Sequence, residues 1–241
     1  MSSDVPTAHE RWMLAHPHAP GLPAWLRQTP GEQRLPVLVT IAAAIALQVG
    51  VPTRYAIHPR WPLPAMEVVL LVVLFAANPV RLTRDHPALR VASLLLTAAI
   101  TVGNAVSAAL LVHNLVRVGG VADDAATLLG GGGSVYLTNI IAFGLWYWEF
   151  DRGGPFERAR GRRVRPDFLF PQMSAPEVMN HIDWEPTLLD YLYVSFTNAT
   201  AFSPTDTAPL SRWAKLLMAV QSAVALVTIG LVIARAVNVL G

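Results

Sequence analysis

Residues 184–215 read WEPTLLDYLYVSFTNATAFSPTDTAPLSRWAK, and the length of the helix inside them decides the fold. Pro186 suits a helix start, where its missing N–H removes no bond. Leu189, Leu192, Tyr193 and Phe196 then recur at helical spacing on one face, with Asp190, Thr197 and Asn198 as the polar remainder. Pro204 ends the pattern. Twelve helical residues rise about 18 Å, well short of a hydrocarbon core about 30 Å thick. A segment this short enters a membrane only where protein or a water cavity shelters its backbone. The spacing therefore predicts a re-entrant helix over 187–202. A sixth complete crossing is the other reading.

The chain around this segment is a membrane sequence. Of its 241 residues, 53% are hydrophobic and 14% charged, with a mean hydropathy of +0.42. Soluble domains carry about 25% charged residues. The composition therefore excludes an ordinary soluble enzyme, a disordered tail and a nucleic-acid module. The pI of about 9.3 accompanies a formal net charge of only +2, and the arginines sit between apolar runs as topology signals. Cysteine is absent, which removes disulfides, thiolate ligands and thiol nucleophiles.

Five runs approach the roughly 20 apolar residues a bilayer-spanning helix needs: 35–51, 61–77, 89–112, 128–148 and 213–240. Pro52, Pro59, Pro62 and Pro64 bracket the first turn, Asn78-Pro79 stops the second run, and Pro87 starts the third. Trp146, Tyr147 and Trp148 close the fourth, as aromatic anchors at the headgroup layer would. The expected fold class is all-α: a polytopic transmembrane bundle of five spans plus one short re-entrant, pore-like helix. It divides into a polar tail over 1–34, a four-helix region over 35–148, an Arg-rich loop over 149–185, and the short helix with the last span over 186–241.

Arginine placement orients this bundle. Twelve arginines fall in the tail, the second loop and the fourth loop, against Arg54, Arg60 and Arg117 in the first and third loops. The expectation is a multi-pass cell-membrane protein with a cytoplasmic N-terminus. The arginine run at 158–165 is expected to meet anionic lipid headgroups, at about 1 kcal/mol per basic residue near the surface. The tail has no apolar core behind a basic start, so it is not read as a cleaved signal peptide. Its His16 and His18 lack further ligands and read as solvated.

Polar groups inside the runs are few. Glu67 is the only acid within an expected span, which makes it a functional candidate, although it lies near the start of its helix and close to Arg60. Asn104, Ser107, Thr138 and Asn139 read as hydrogen-bonding glue between helices. Gly130–Gly133 is not followed by Lys-Ser/Thr, so it reads as a close backbone approach or a frayed helix start and not as a phosphate loop. His181, Asp183 and Glu185 alternate in a loop and read as solvated. No catalytic group, metal site or cofactor is expected.

The C-terminal quarter resembles the two-helix pore module of potassium channels. The likeness runs through Asp190-Tyr191-Leu192-Tyr193-Val194-Ser195-Phe196-Thr197, Thr200, Asp206-Thr207-Ala208-Pro209 and Arg212-Trp213-Ala214-Lys215. A potassium filter reads Thr-Val-Gly-Tyr-Gly. Here Thr200-Ala201-Phe202-Ser203-Pro204-Thr205 has neither glycine, and non-glycine residues resist the alternating twist of such a carbonyl ladder. The chain is also similar to bacterial membrane proteins of the DUF1345 type, which share a Tyr-x-Ser-Phe and Thr-Phe-x-x-Ser-Asp pattern and carry over no activity. That likeness implies a bacterial inner membrane.

The resemblance implies an ion channel-like protein of unknown selectivity, assembled as a homo-oligomer, a tetramer if it is a channel. Its pore-lining candidates are Thr197, Asn198, Thr200, Ala201, Phe202 and Ser203, with Asp206 at the mouth. The alternative is a non-conducting scaffold or a small-solute or proton-coupled transporter, with Glu67 as its site.

Overall fold

Every expected apolar run is a helix. The structure, a computed structural model, describes residues 23–77, 87–116, 125–161, 165–174, 184–200 and 206–240. The long elements are α1 (Arg34–Gly50), α2 (Pro62–Ala77), α3 (Pro87–Val116) and α4 (Ala125–Phe150). Two short helices follow, α5 (Pro155–Ala159) and α6 (Pro171–Ser174), then α7 (Leu188–Thr200) and α8 (Arg212–Leu240). The chain is mainly helical, and among the described residues the strands are the two-residue β1 (Phe168–Leu169) and β2 (Ala208–Pro209), paired antiparallel.

Among the described residues, three helices are long and apolar enough to cross a bilayer: Pro87–Val116, Ala126–Gly153 and Arg212–Val237. The two other apolar helices, Arg34–Gly50 and Pro62–Ala77, have 17 and 16 residues. Pro62 and Pro64 sit in the first turn of α2, where proline costs no helical bond, and α2 stops at Ala77, just before Asn78-Pro79.

Helix α4 is the centre of the bundle, packing against α1, α3, α7 and α8. Small residues set the spacing. A Cβ on Gly132 would lie 2.6 Å from Val232 Cγ2, and one on Gly144 would lie 2.7 Å from Leu192 Cδ2. Gly130 and Gly133 face open space, so only part of the glycine run is a close approach. Helix α8 buries one seam, through Ala214, Met218, Gln221, Ala225, Thr228, Val232 and Ala236. These recur every three or four residues, the spacing of one helical stripe. Leu216, Leu226, Ile233 and Val237 stay exposed on its other faces, as lipid or a second copy would permit.

Several helix ends meet at one end of the bundle, called basal here. Arg90, in the first turn of α3, donates to Gly153 O beyond α4. Trp148 Nε1, near the end of α4, donates to Glu32 Oε2 (2.6 Å), and Leu188 N, at the start of α7, donates to Glu32 Oε1 (2.5 Å). Phe150 and Trp213 stack edge to face at 5.5 Å, bringing the start of α8 to the same place.

Candidate functional site

The basal end is built on two carboxylates. Asp151 Oδ1 accepts Asp167 N (2.8 Å) and Phe168 N (3.3 Å), and its Oδ2 accepts the Tyr191 hydroxyl (2.5 Å). Asp167 Oδ2 accepts Arg152 N (3.0 Å), and its Oδ1 accepts Trp213 Nε1 (2.9 Å). Asp151 therefore staples β1 and α7 to the end of α4, and Asp167 staples α8 there. Leu210 N donates to Asp167 O (2.8 Å), which holds the β2 segment beside them.

Buried arginines fill the gaps. Arg152 sits at φ 50° and is 2% exposed; it donates to Trp25 O, and its Nε lies 3.7 Å from Asp151 Oδ2. Arg158, 6% exposed, donates to Trp148 O (2.5 Å) and Asp151 O (3.1 Å), and its guanidinium lies 5.0 Å from the Tyr191 ring centroid. A guanidinium over an aromatic face gains from the ring quadrupole. Arg158 is thus engaged inside the protein, because carbonyls left over at the end of α4 need donors. Residues 151–161 and 165–170, within the Arg-rich loop expected over 149–185, pack as part of this cap. Burial holds the Glu32 carboxyl above its ordinary range, against the pull of Arg158 and of its hydrogen bonds from Leu188 and Trp148.

Asp190 closes the start of helix α7 with its side chain. Thr187 N and Thr187 Oγ1 each donate to Asp190 Oδ2 at 2.8 Å. Its buried side is Leu188, Tyr191, Val194, Ser195 and Ala199, whereas Leu189, Tyr193 and Phe196 are 72%, 57% and 50% exposed. Most of the apolar stripe read from the sequence therefore faces outward. The inward side carries a polar seam with α8. Gln221 Nε2 donates to Ser195 O (2.9 Å) and Oγ (2.6 Å); its Oε1 accepts the Tyr147 hydroxyl (2.5 Å) and Asn198 Nδ2 (2.8 Å). Ser195 Oγ donates to Ile140 O (2.6 Å), and Ser222 Oγ donates to Asn198 O (3.1 Å).

The sequence candidates divide accordingly. Asn198 also donates to Met218 O (2.9 Å), so its amide is engaged with α8. Thr197 Oγ1 bonds Tyr193 O and Val194 O, and Thr200 Oγ1 bonds Thr197 O, all within α7. Asp206 is exposed at the basal end. Ala201, Phe202 and Ser203 lie outside the described residues, as do His16, His18, His181 and Asp183. Glu67 is 0% exposed, with the Gln48 side chain as its polar neighbour. Arg60 does not pair with it but gives Nη2 to Val49 O (2.6 Å). Among the described residues, no cluster of three or more metal-ligating side chains occurs.

Two expectations are corrected. Tyr147 and Trp148 are 0% and 1% exposed, so they are core residues bonded to Gln221 and Glu32 and do not anchor at the headgroups. Of the expected hydrogen-bonding glue, Thr138 instead bonds Ser134 O in its own helix, and Asn139 Nδ2 has no partner. Ser195, Gln221 and Tyr147 do that work. Ser93 adds a bond from α3 to Glu149 on α4. A single amide in a long apolar run, as Gln221 is, gives no periodic signal in the sequence. Thr187 and Asp190 did carry one, the Thr-x-x-Asp spacing of a helix cap. No family model, curated protein or solved structure matches the chain.

Proposed function

We propose that the chain is a multi-pass membrane protein of five spans in which α7, residues 201–211 and α8 form a re-entrant, pore-like module, and that copies assemble, four if they conduct, to enclose an ion path. The observation that carries this reading is that α7 and α8 both begin at the basal end: Leu188 N is bonded to Glu32, and Trp213 to Asp167. Thirteen residues of α7 rise about 20 Å, too little to cross a core of about 30 Å. The exposed Leu189, Tyr193 and Phe196 supply a face for a neighbouring copy, which would give the short helix the shelter it needs at membrane depth. The basal end carries Arg34, Arg90, Arg152 and Arg158, so the charge rule makes it cytoplasmic, with the N-terminal tail on that side. Asp206, exposed beside this end, is then the charge at the mouth.

Reconstitution into liposomes tests it. The protein should pass small ions, and Asp206→Asn should lower cation over anion preference. A strictly monomeric protein in mild detergent, or no ion flux, would overturn it.

The second reading is a proton-coupled carrier. The buried Glu67 favours it, since an ionisable group among spanning helices is a functional candidate by default.

A further inference from the structure

A small cavity of about 20 Å³ lies at the basal end, between the start of α1, the end of α2, the start of α3 and the end of α4. Its polar lining is Arg34, Arg90, Ser93 and Glu149, with Leu74 and Pro155 among its apolar walls. A space of this size takes one water-sized group. It therefore fits a single oxygen of a larger molecule whose bulk lies outside.

The charges of the lining do not balance. Glu149, 3% exposed, accepts the Ser93 hydroxyl and is the one carboxylate among the described lining residues, against two guanidiniums. Even with Glu149 ionised, one positive charge is left over, and a buried charge is costly unless paired. Arg34 is 3% exposed and makes no hydrogen bond among the described residues. Its Nε and Nη2 are shut off inside the protein, which leaves Nη1 to meet the cavity. Arg90 is half-buried and gives Nη1 to Gly153 O, which leaves its Nε and Nη2 for a second partner. A planar guanidinium with spare N–H groups matches the oxygens of a phosphate.

The position of the cavity selects the ligand. Under the multi-pass reading, on which this inference rests, the basal helix ends meet the headgroup layer of the cytoplasmic leaflet. Basic pockets between spanning helices on that side hold anionic headgroups. The residues that follow Arg34, Leu74 and Arg90 are Leu35, Phe75 and Val91, exposed by 68%, 45% and 54%. They give acyl chains an apolar surface at the same helix ends. We propose that Arg34 and Arg90 hold the phosphodiester of an anionic phospholipid, with one phosphoryl oxygen in the cavity and the acyl chains along α1, α2 and α3. The site uses neither α7 nor residues 201–211, so it stands apart from the pore.

Native mass spectrometry of the full chain, released from nanodiscs of mixed phosphatidylglycerol and phosphatidylethanolamine, is the test. Phosphatidylglycerol should be retained in preference, because the ammonium of the other lipid would meet an excess of positive charge. Arg34→Gln and Arg90→Gln should each cut that retention roughly 10- to 100-fold, the worth of one hydrogen bond to a charged group. Arg212→Gln with Lys215→Gln removes two exposed cations at the start of α8 and should leave it unchanged. Should the arginine variants not fold, hydrogen exchange on the natural chain decides: phosphatidylglycerol should slow exchange at 87–93 and 153–156 relative to phosphatidylethanolamine. Equal retention of the two lipids, displacement by millimolar inorganic phosphate, exchange slowed only elsewhere, or an equal loss in the Arg212 and Lys215 double variant would each overturn the proposal. A protein that carbonate washes off the membrane would overturn the multi-pass reading and this site with it.

Discussion

Tyr191 donates its hydroxyl to Asp151 Oδ2 at 2.5 Å, and both residues are 0% exposed. This one bond ties the first turns of α7 to the end of α4. The Tyr191 ring adds edge contacts with Phe168 at 6.2 Å and Phe170 at 5.4 Å. Tyr191→Phe keeps those contacts and removes the hydroxyl alone. It should cost about 1–3 kcal/mol, the penalty for a buried acceptor losing one partner. Thermal unfolding in detergent measures it, and an unchanged transition would mean that the staple does not hold α7.

Gln221 joins Tyr147, Ser195 and Asn198 across the α7–α8 seam. Gln221→Leu should destabilise by about 1–3 kcal/mol, because the Tyr147 hydroxyl is left buried without its acceptor. The double variant with Tyr147→Phe should cost less than the two single variants added together, since they share one bond. Additive costs would show the two groups to be uncoupled.

Glycine positions in α4 separate contact from mere composition. Gly132→Ala places a Cβ 2.6 Å from Val232 Cγ2 and should cost about 1–3 kcal/mol. Val232→Ala in the same chain should recover part of that loss. Gly130→Ala meets open space and should instead stabilise by about 0.5–1 kcal/mol through helix propensity. Melting temperatures of the three variants decide the matter; equal effects at 130 and 132 would contradict the packing.

Glu32 makes the fold pH-dependent. Burial raises its folded pKa above the unfolded value of 4.5. The folded state then binds the proton more tightly than the unfolded chain. The contribution of this group is fully present below about pH 4.5 and declines as pH rises through the folded value. Glu32→Gln should flatten that part of the stability profile. Identical slopes for the two proteins between pH 4 and pH 7, roughly the window set by ordinary carboxylates, would exclude Glu32 as its source.

Glu67 separates the two functional readings. Under the pore reading, ion flux survives Glu67→Gln. Under the carrier reading, proton-coupled uptake is lost while the protein stays folded. Flux assays on liposomes containing each protein make the comparison.

The helices were legible because long apolar runs and prolines speak locally. The segment expected from 187 onward begins as a helix at Leu188, one residue later. The side each residue faces was less legible. Leu189, Tyr193 and Phe196 look like a core stripe, yet they are exposed, because α7 instead buries the polar partners of Gln221. Arg158 stands in an arginine run with nothing local to mark it as buried, yet carbonyls at the end of α4 engage it. Both choices depend on groups distant in sequence, Ser195 with Gln221 and Asp151 with Asp167 and Tyr191. No window along the chain holds both members of such a pair.

The most direct measurement is the side from which the two ends of the re-entrant module react. The chain has no cysteine, so Glu185→Cys and Asp206→Cys each supply a single thiol. A membrane-impermeant maleimide should reach both from the arginine-rich side and neither from the opposite side. Labelling of the two positions from opposite faces would make 184–206 a full crossing and end the pore-module account.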